Sequence, residues 1–217
     1  MSLLNRRPIS IGREKREFRD DRVFVVATDD TYAPEQYFKH LALRRVRVVV
    51  LPTPPERGES SPAHVVSRLK AAYEVYATSH EIQERDEFWV FLDRDHHFQG
   101  THTPQTLDAL RVGRTAGFEV AISNPCFELW LLLHHEEVSP DAELGNCAAV
   151  ESALRARLGS YNKTNIPPGQ FPMHLVATAI RRARSLEKSP DSPAELLPRP
   201  IGTRVYRLLE KILPPAL

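Results

Sequence analysis

Four short stretches rich in β-branched and aromatic residues punctuate the first 123 positions: RVFVVAT (22–28), RVRVVVL (45–51), EFWVFLD (87–93) and FEVAIS (118–123). Runs of this length and composition suit strands buried on both faces of a sheet. Between them, apolar residues recur at helical spacing. PEQYFKHLAL (34–43) opens with a proline in its first turn, where a missing N–H costs nothing. Ser61-Pro62 reads as an N-cap and first helical residue, and Val65, Val66, Leu69, Ala72, Tyr73 and Tyr76 follow on one face, so the pattern predicts a helix over 62–80. PTPPERGESSP (52–62) before it is a loop, and Thr103-Pro104 starts a further helix that Gly117 ends. The order β-α-β-α-β-α-β predicts an α/β fold, a parallel sheet covered by helices on both faces, with sites beyond the carboxyl ends of its strands.

From about residue 124 the pattern turns helical. Asn124-Pro125 is expected to cap the helix CFELWLLLHH, and helices follow at about 147–158, 173–187 and 201–213. In the last of these, Val205, Leu208, Leu209 and Ile212 form the stripe of a docked helix rather than a free tail. The chain therefore divides into a basic N-terminal arm (1–20), an α/β domain (21–143) and a helical extension packed on the core (144–217), without internal repeats.

A chain of 217 residues with 41% hydrophobic content can bury a sizeable core. Its net charge of +1 gives no overall argument for nucleic acid or membrane, but the distribution is uneven. Residues 1–80 carry 14 basic and 10 acidic side chains, residues 81–150 carry 4 and 13, and residues 151–217 carry 11 and 5. An acidic centre between basic ends suits a metal-collecting site flanked by surfaces for a polyanion, although an ordinary solvated surface gives similar numbers. No apolar run approaches the roughly 18 residues of a membrane span, and the first 21 residues lack the apolar core of a secretory signal. Cys126 and Cys147 are too few for a disulfide framework and lack the CxxC spacing of a zinc site. A reduced, cytoplasmic localisation is expected.

The chemistry concentrates where the third strand runs out, in LDRDHH. Residues i and i+2 of a strand point the same way, so Asp93 and Asp95 would converge, and two like charges held together need a cation. Paired carboxylates suit a hard ion such as Mg²⁺ or Mn²⁺; acids also end strands merely because loops are solvated. Glu128 stands among Phe127 and Leu129 to Leu133. Left unpaired in such surroundings it would cost several kcal/mol, which calls for a cation or a network, unless it faces solvent at the helix start, where the dipole favours an acid. Lys163, in GSYNKTNIPPGQF, would offset charge on a phosphate oxygen or be an ordinary solvated lysine. His96 and His97 offer a general base or metal ligands, but adjacent rings on a loop rarely both reach one ion, and exposure is expected of at least one. His134 and His135 suit a contact with the helix C-terminal dipole. There is no glycine-rich phosphate loop, GxSxG elbow or Cys/His nucleophile arrangement.

Taken in order, FLDRDHH, ISNPCFELWLLLHH, YNK and RPIGTRVYRLLEKIL resemble the RloB-like family, whose core is similar to a Toprim domain. The resemblance runs from about residue 22 to the C-terminus. It implies a Toprim-like parallel sheet, metal-dependent phosphodiester chemistry on DNA or RNA, a place in bacterial restriction and phage-defence loci, and an ATPase partner. It makes Asp93 and Asp95 the Toprim DxD pair, Glu128 an additional metal-site acid and Lys163 a phosphate-facing base.

The first Toprim motif, a strand followed by something like Cys-Glu-Gly and then Thr-Glu-Pro, is altered here to ATDDTYAPEQYF. Aligned on Pro34, Asp29 takes the place of the glutamate and Ala33 that of the second acid; a shift by one residue puts Thr28 there instead. Asp for Glu shortens the reach by one methylene, about 1.5 Å, which Asp30 or a shifted metal would accommodate. The resemblance thus implies a Mg²⁺- or Mn²⁺-dependent nuclease with Asp29, Asp93, Asp95 and Glu128 around the metal. The alternative is a catalytically degenerate module acting as the interaction subunit of an ATPase-containing complex. A DxD-dependent glycosyl- or nucleotidyl-transferase is a more distant reading, with no nucleoside-binding feature behind it. The oligomeric state stays open.

Overall fold

A computed structural model describes residues 21–98, 102–187, 198 and 201–213, except for the side chains of Asp95 and His96. The arm assigned to residues 1–20 lies outside the described residues. The elements are β1 (Arg22–Thr28), α1 (Ala33–His40), β2 (Val46–Leu51), α2 (Pro62–Ser79), β3 (Glu87–Asp93), α3 (Arg94–His97), α4 (His102–Thr115), β4 (Glu119–Asn124), α5 (Glu128–His135), α6 (Cys147–Leu158), α7 (Met173–Leu186), β5 (Gly202–Thr203) and α8 (Val205–Ile212). They form the expected α/β architecture, a five-stranded sheet in the order β2-β1-β3-β4-β5 with helices on both faces.

The strands earn their double burial by alternation. Phe24 and Val26 of β1 and Trp89 and Phe91 of β3 point into the core shared with α1, α5, α6, α7 and α8. Val23, Val25 and Ala27, with Phe88, Val90 and Leu92, point the other way, toward α2 and α4. Burial of both faces is what the unbroken apolar runs require.

β1 pairs in parallel with β2 on one side and with β3 on the other. The chain leaves β1 for β2 through α1 on one face, and leaves the neighbouring β3 in the other direction, for β4, through α4 on the opposite face. Two connections diverging from neighbouring strands leave a crevice beyond their carboxyl ends, the usual ligand position in such sheets. Asp29, Asp30 and Asp93 sit at that crevice.

The structure departs from the sequence reading in three places. The strand geometry of β3 stops at Asp93, and the next four residues form a helical turn. The strand rule that predicts a shared direction for Asp93 and Asp95 therefore does not extend past Asp93. Asn124 belongs to β4 rather than capping a helix, its peptide to Pro125 is cis, and α5 begins at Glu128. The final helix is preceded by β5, which pairs antiparallel with β4 through Ser123–Thr203 and Asn124–Gly202. Gly202 is needed there because a Cβ would stand 2.9 Å from the Cβ of Pro198.

Candidate metal centre

Asp29 follows directly on the last residue of β1 and turns its carboxylate against the end of β3. Its Oδ2 accepts the Asp93 backbone N–H at 3.0 Å and meets Nε2 of His97 at 2.9 Å. The side chain is 6% exposed, and its other oxygen, Oδ1, is buried with no hydrogen-bond partner. Burial raises the Asp29 carboxyl pKa above its ordinary value, with His97 and the Asp93 N–H pulling in the opposite direction. His97 is itself buried, its carbonyl held by Thr106 Oγ1 at 2.8 Å. The backbone beneath Asp29 is fixed as well: Arg68 donates to the Thr28 carbonyl at 2.9 Å and to Thr53 Oγ1 at 2.8 Å.

Asp93, the last residue of β3, accepts the Phe127 N–H on Oδ1 at 2.9 Å, which ties the turn between β4 and α5 to the strand beside it. Its carboxyl pKa lies well above the ordinary value, chiefly from burial and then from the charges of Asp29, Glu128, Cys147 and Asp30. Glu128 opens α5, is 2% exposed, and accepts the Tyr161 hydroxyl on Oε1 at 3.2 Å. Burial, then the Asp30 charge, raises its pKa, while a hydrogen bond from the Cys126 thiol opposes the rise. Asp93, Cys126, Glu128 and Cys147 bring one ligand atom each to within 4.8 Å of one another.

Asp30 folds back on its own chain, Oδ1 accepting the N–H groups of Tyr32 at 2.6 Å and Ala33 at 2.9 Å. Its Oδ2 lies 3.9 Å from Lys163 Nζ. Lys163 is delivered by the loop between α6 and α7, which α1 grips through Gln36. That amide donates to the Lys163 carbonyl at 2.8 Å and accepts the Ile166 N–H at 2.6 Å. Burial opposes the lysine's charge, but the carboxylates of Asp30, Glu128, Glu151 and Asp93 outweigh it and raise the pKa. Asp29, Asp30, Asp93, His97, Glu128 and Lys163 all line one cavity of about 330 Å³.

Of the residues singled out by sequence, Asp29, Asp93, Glu128 and Lys163 are thus brought together, and the side chain of Asp95 lies outside the described residues. Glu128 faces inward, not solvent. The sequence reading missed the bracing role of His97, the Tyr161 hydroxyl and the meeting of the two thiols. The lack of a CxxC pair does not keep Cys126 and Cys147 apart, because α6 packs on α5 and carries Cys147 to the turn that holds Cys126. Nothing in their local sequence signals it.

A family model for RloB-like proteins matches residues 24–212. The chain belongs to the RloB-like family. No curated protein and no solved structure gives a match. The matched span of this RloB-like chain runs from β1 into the last turn of α8 and contains every residue of the cavity. Among its described residues, no helix is long and apolar enough to cross a membrane.

Proposed function

We propose that this RloB-like protein is a Mg²⁺- or Mn²⁺-dependent nuclease that hydrolyses phosphodiester bonds of DNA or RNA in prokaryotic antiviral defence, working beside an ATPase partner. The observation that carries the reading is the convergence of Asp29 just past β1, Asp93 at the end of β3 and Glu128 at the start of α5 on one cavity that also holds Lys163.

The residues fit a divalent cation. Burial, and after it the charge of neighbouring carboxylates, raises all three carboxyl pKa values, and Asp29 Oδ1 is desolvated without a partner. An unsatisfied buried acceptor costs roughly 1–3 kcal/mol, more when charged. An oxygen-ligated cation offsets both penalties, and such acids are what a hard ion selects. When bound, the ion supplies Lewis acidity toward a phosphoryl oxygen and a water of lowered pKa.

The protein's own groups do the positioning. His97 and the Asp93 N–H lock one oxygen of Asp29, and the Phe127 N–H locks one oxygen of Asp93. Lys163 keeps its charge and acts as a point donor toward a phosphate oxygen as negative charge builds in the transition state. The shorter reach of Asp29 is no obstacle, since its carboxylate already touches the end of β3. That contact favours a working site over a degenerate one.

The test is cleavage of single- and double-stranded DNA and RNA with Mg²⁺, Mn²⁺ or EDTA, with and without the co-expressed ATPase. Asp93→Asn and Lys163→Ala are each expected to lose about two orders of magnitude in rate, the usual loss for a charge used in the transition state. Cleavage that survives EDTA or Asp93→Asn, or no cleavage of any of these substrates, overturns the reading.

A further inference from the structure

We infer that Asp93, Glu128 and Cys147, on one wall of the cavity, form with the buried Cys126 a cation site in its own right, suited to a thiophilic divalent ion such as Zn²⁺ rather than to Mg²⁺. The inference rests on the proposed metal chemistry for the role of Asp93 and Glu128, and on the two sulfurs for everything else.

The four ligand atoms lie within 4.8 Å of one another. In a tetrahedral site with two sulfur and two oxygen ligands at ordinary zinc bond lengths, the ligand atoms stand roughly 3.3–3.8 Å apart. About 1 Å of side-chain closure therefore completes the site. The donors come from four places in the chain: the end of β3, the β4–α5 turn, the start of α5 and the start of α6. Cys126 is fully buried, and its thiol is hydrogen-bonded to both Cys147 and Glu128. A thiol is a weak hydrogen-bond donor, so these bonds compensate a buried carboxylate and two sulfurs less well than coordination to a metal would.

The surroundings have what oriented ligands need. Tyr161 donates to Glu128 Oε1 and the Phe127 N–H to Asp93 Oδ1, which orients both carboxylates toward the two sulfurs. Two thiolates disfavour a hard, oxygen-seeking ion and select zinc among the common divalent cations. The opposite wall, with Asp29 and Asp30, offers oxygen alone and keeps the hard character. Because Asp93 and Glu128 serve both walls, Zn²⁺ and Mn²⁺ are expected to compete.

Co²⁺ is the spectroscopic probe. The reduced, metal-stripped full chain is titrated with Co²⁺, and about one equivalent is expected to produce a thiolate-to-cobalt charge-transfer band with intense tetrahedral d–d absorption. Stoichiometric Zn²⁺ should erase the spectrum and a large excess of Mg²⁺ should not. Cys147→Ser, at a partly exposed position, is expected to cut the charge-transfer intensity by about half and weaken Co²⁺ binding roughly tenfold or more; Cys126→Ser checks the second sulfur and is the variant more exposed to misfolding. Asp29→Asn should keep the band while weakening Mn²⁺ binding measured by electron paramagnetic resonance. Co²⁺ bound without the band, a band indifferent to Cys147→Ser, or no Co²⁺ bound overturns the inference. A thiolate band in a protein that cleaves nothing removes the nuclease reading alone; Mg²⁺-dependent cleavage without a band removes this inference alone.

Discussion

Asp93 is the residue at which folding and function pull hardest against each other. It is desolvated at the end of β3 beside Asp29 and Glu128, and its carboxyl holds its proton well above the ordinary value. A group whose folded pKa is raised binds its proton more readily in the native state. Below the unfolded value near 3.8 it costs nothing; as pH rises from there toward the folded value, the cost of ionising in place of staying protonated accumulates. At neutral pH the metal-free protein should therefore be less stable for having this carboxylate. Asp93→Asn retains an oxygen to accept the Phe127 N–H and removes the charge. Urea unfolding in EDTA is expected to show the variant about 1–2 kcal/mol more stable at neutral pH, the range typical of relieving a functional conflict. The gap should close as the pH is brought down toward 4, and Mn²⁺ should stabilise only the wild type. A variant no more stable than wild type at neutral pH would mean that the bare carboxylate is already satisfied.

Among the elements, the join between α7 and α8 is the least visible from sequence and the most polar inside. Glu187, just past α7, accepts from Arg204 Nε at 2.5 Å, from Arg207 Nη2 at 3.2 Å and from the Tyr206 hydroxyl. The side chains of Arg204 and Glu187 are 5% and 7% exposed. Removing one member of a buried pair leaves the other charged and unpaired, at a cost of about 3–5 kcal/mol. Glu187→Gln, which keeps the shape and one acceptor, is expected to lose about 3 kcal/mol in chemical denaturation, while a loss well under 1 kcal/mol would mean that solvent reaches Arg204. The contrast with the other elements is instructive. Helices such as α2 and α7 were legible to within a residue or so because their apolar stripes repeat every 3.6 residues. β5 is two residues long and exists because Gly202 lets the chain pass against Pro198; no period encodes that. The pairing of Asp95 with Asp93 rests on a strand period that ends at Asp93, and no side-chain geometry of Asp95 bears on it. Glu128 was legible because a carboxylate in a run of leucines is chemically conspicuous, whereas Cys126 and Cys147 look like two ordinary small apolar residues until α6 lies on α5.

At the scale of the molecule, one buried cluster runs from Phe24 of β1 to Ile212 of α8 and takes in α5, α6 and α7 on the way. α5 is buried from Glu128 to His134 and packs chiefly against α6 and α7, which lie beyond residue 143. The cavity is divided in the same way. Asp29, Asp93 and Glu128 come from the part before residue 143, while Cys147 comes from α6 and Lys163 from the loop after α6, as does Tyr161, which holds Glu128. A boundary at residue 143 would therefore cut through both the core and the site. Leaving a large apolar side chain in water costs about 1.5–3 kcal/mol, and α5 carries four leucines and Trp130. Baring even part of that surface would consume a stability that totals only about 5–15 kcal/mol for a domain. A fragment spanning residues 21–143 is accordingly expected to show no cooperative thermal transition and little near-ultraviolet circular dichroism from Trp89 and Trp130, and to bind Mn²⁺ no better than an unfolded chain does. Sharp, reversible unfolding of that fragment would instead make the C-terminal helices an appended module, and would place the lysine and thiol wall of the cavity on a separable part of the protein.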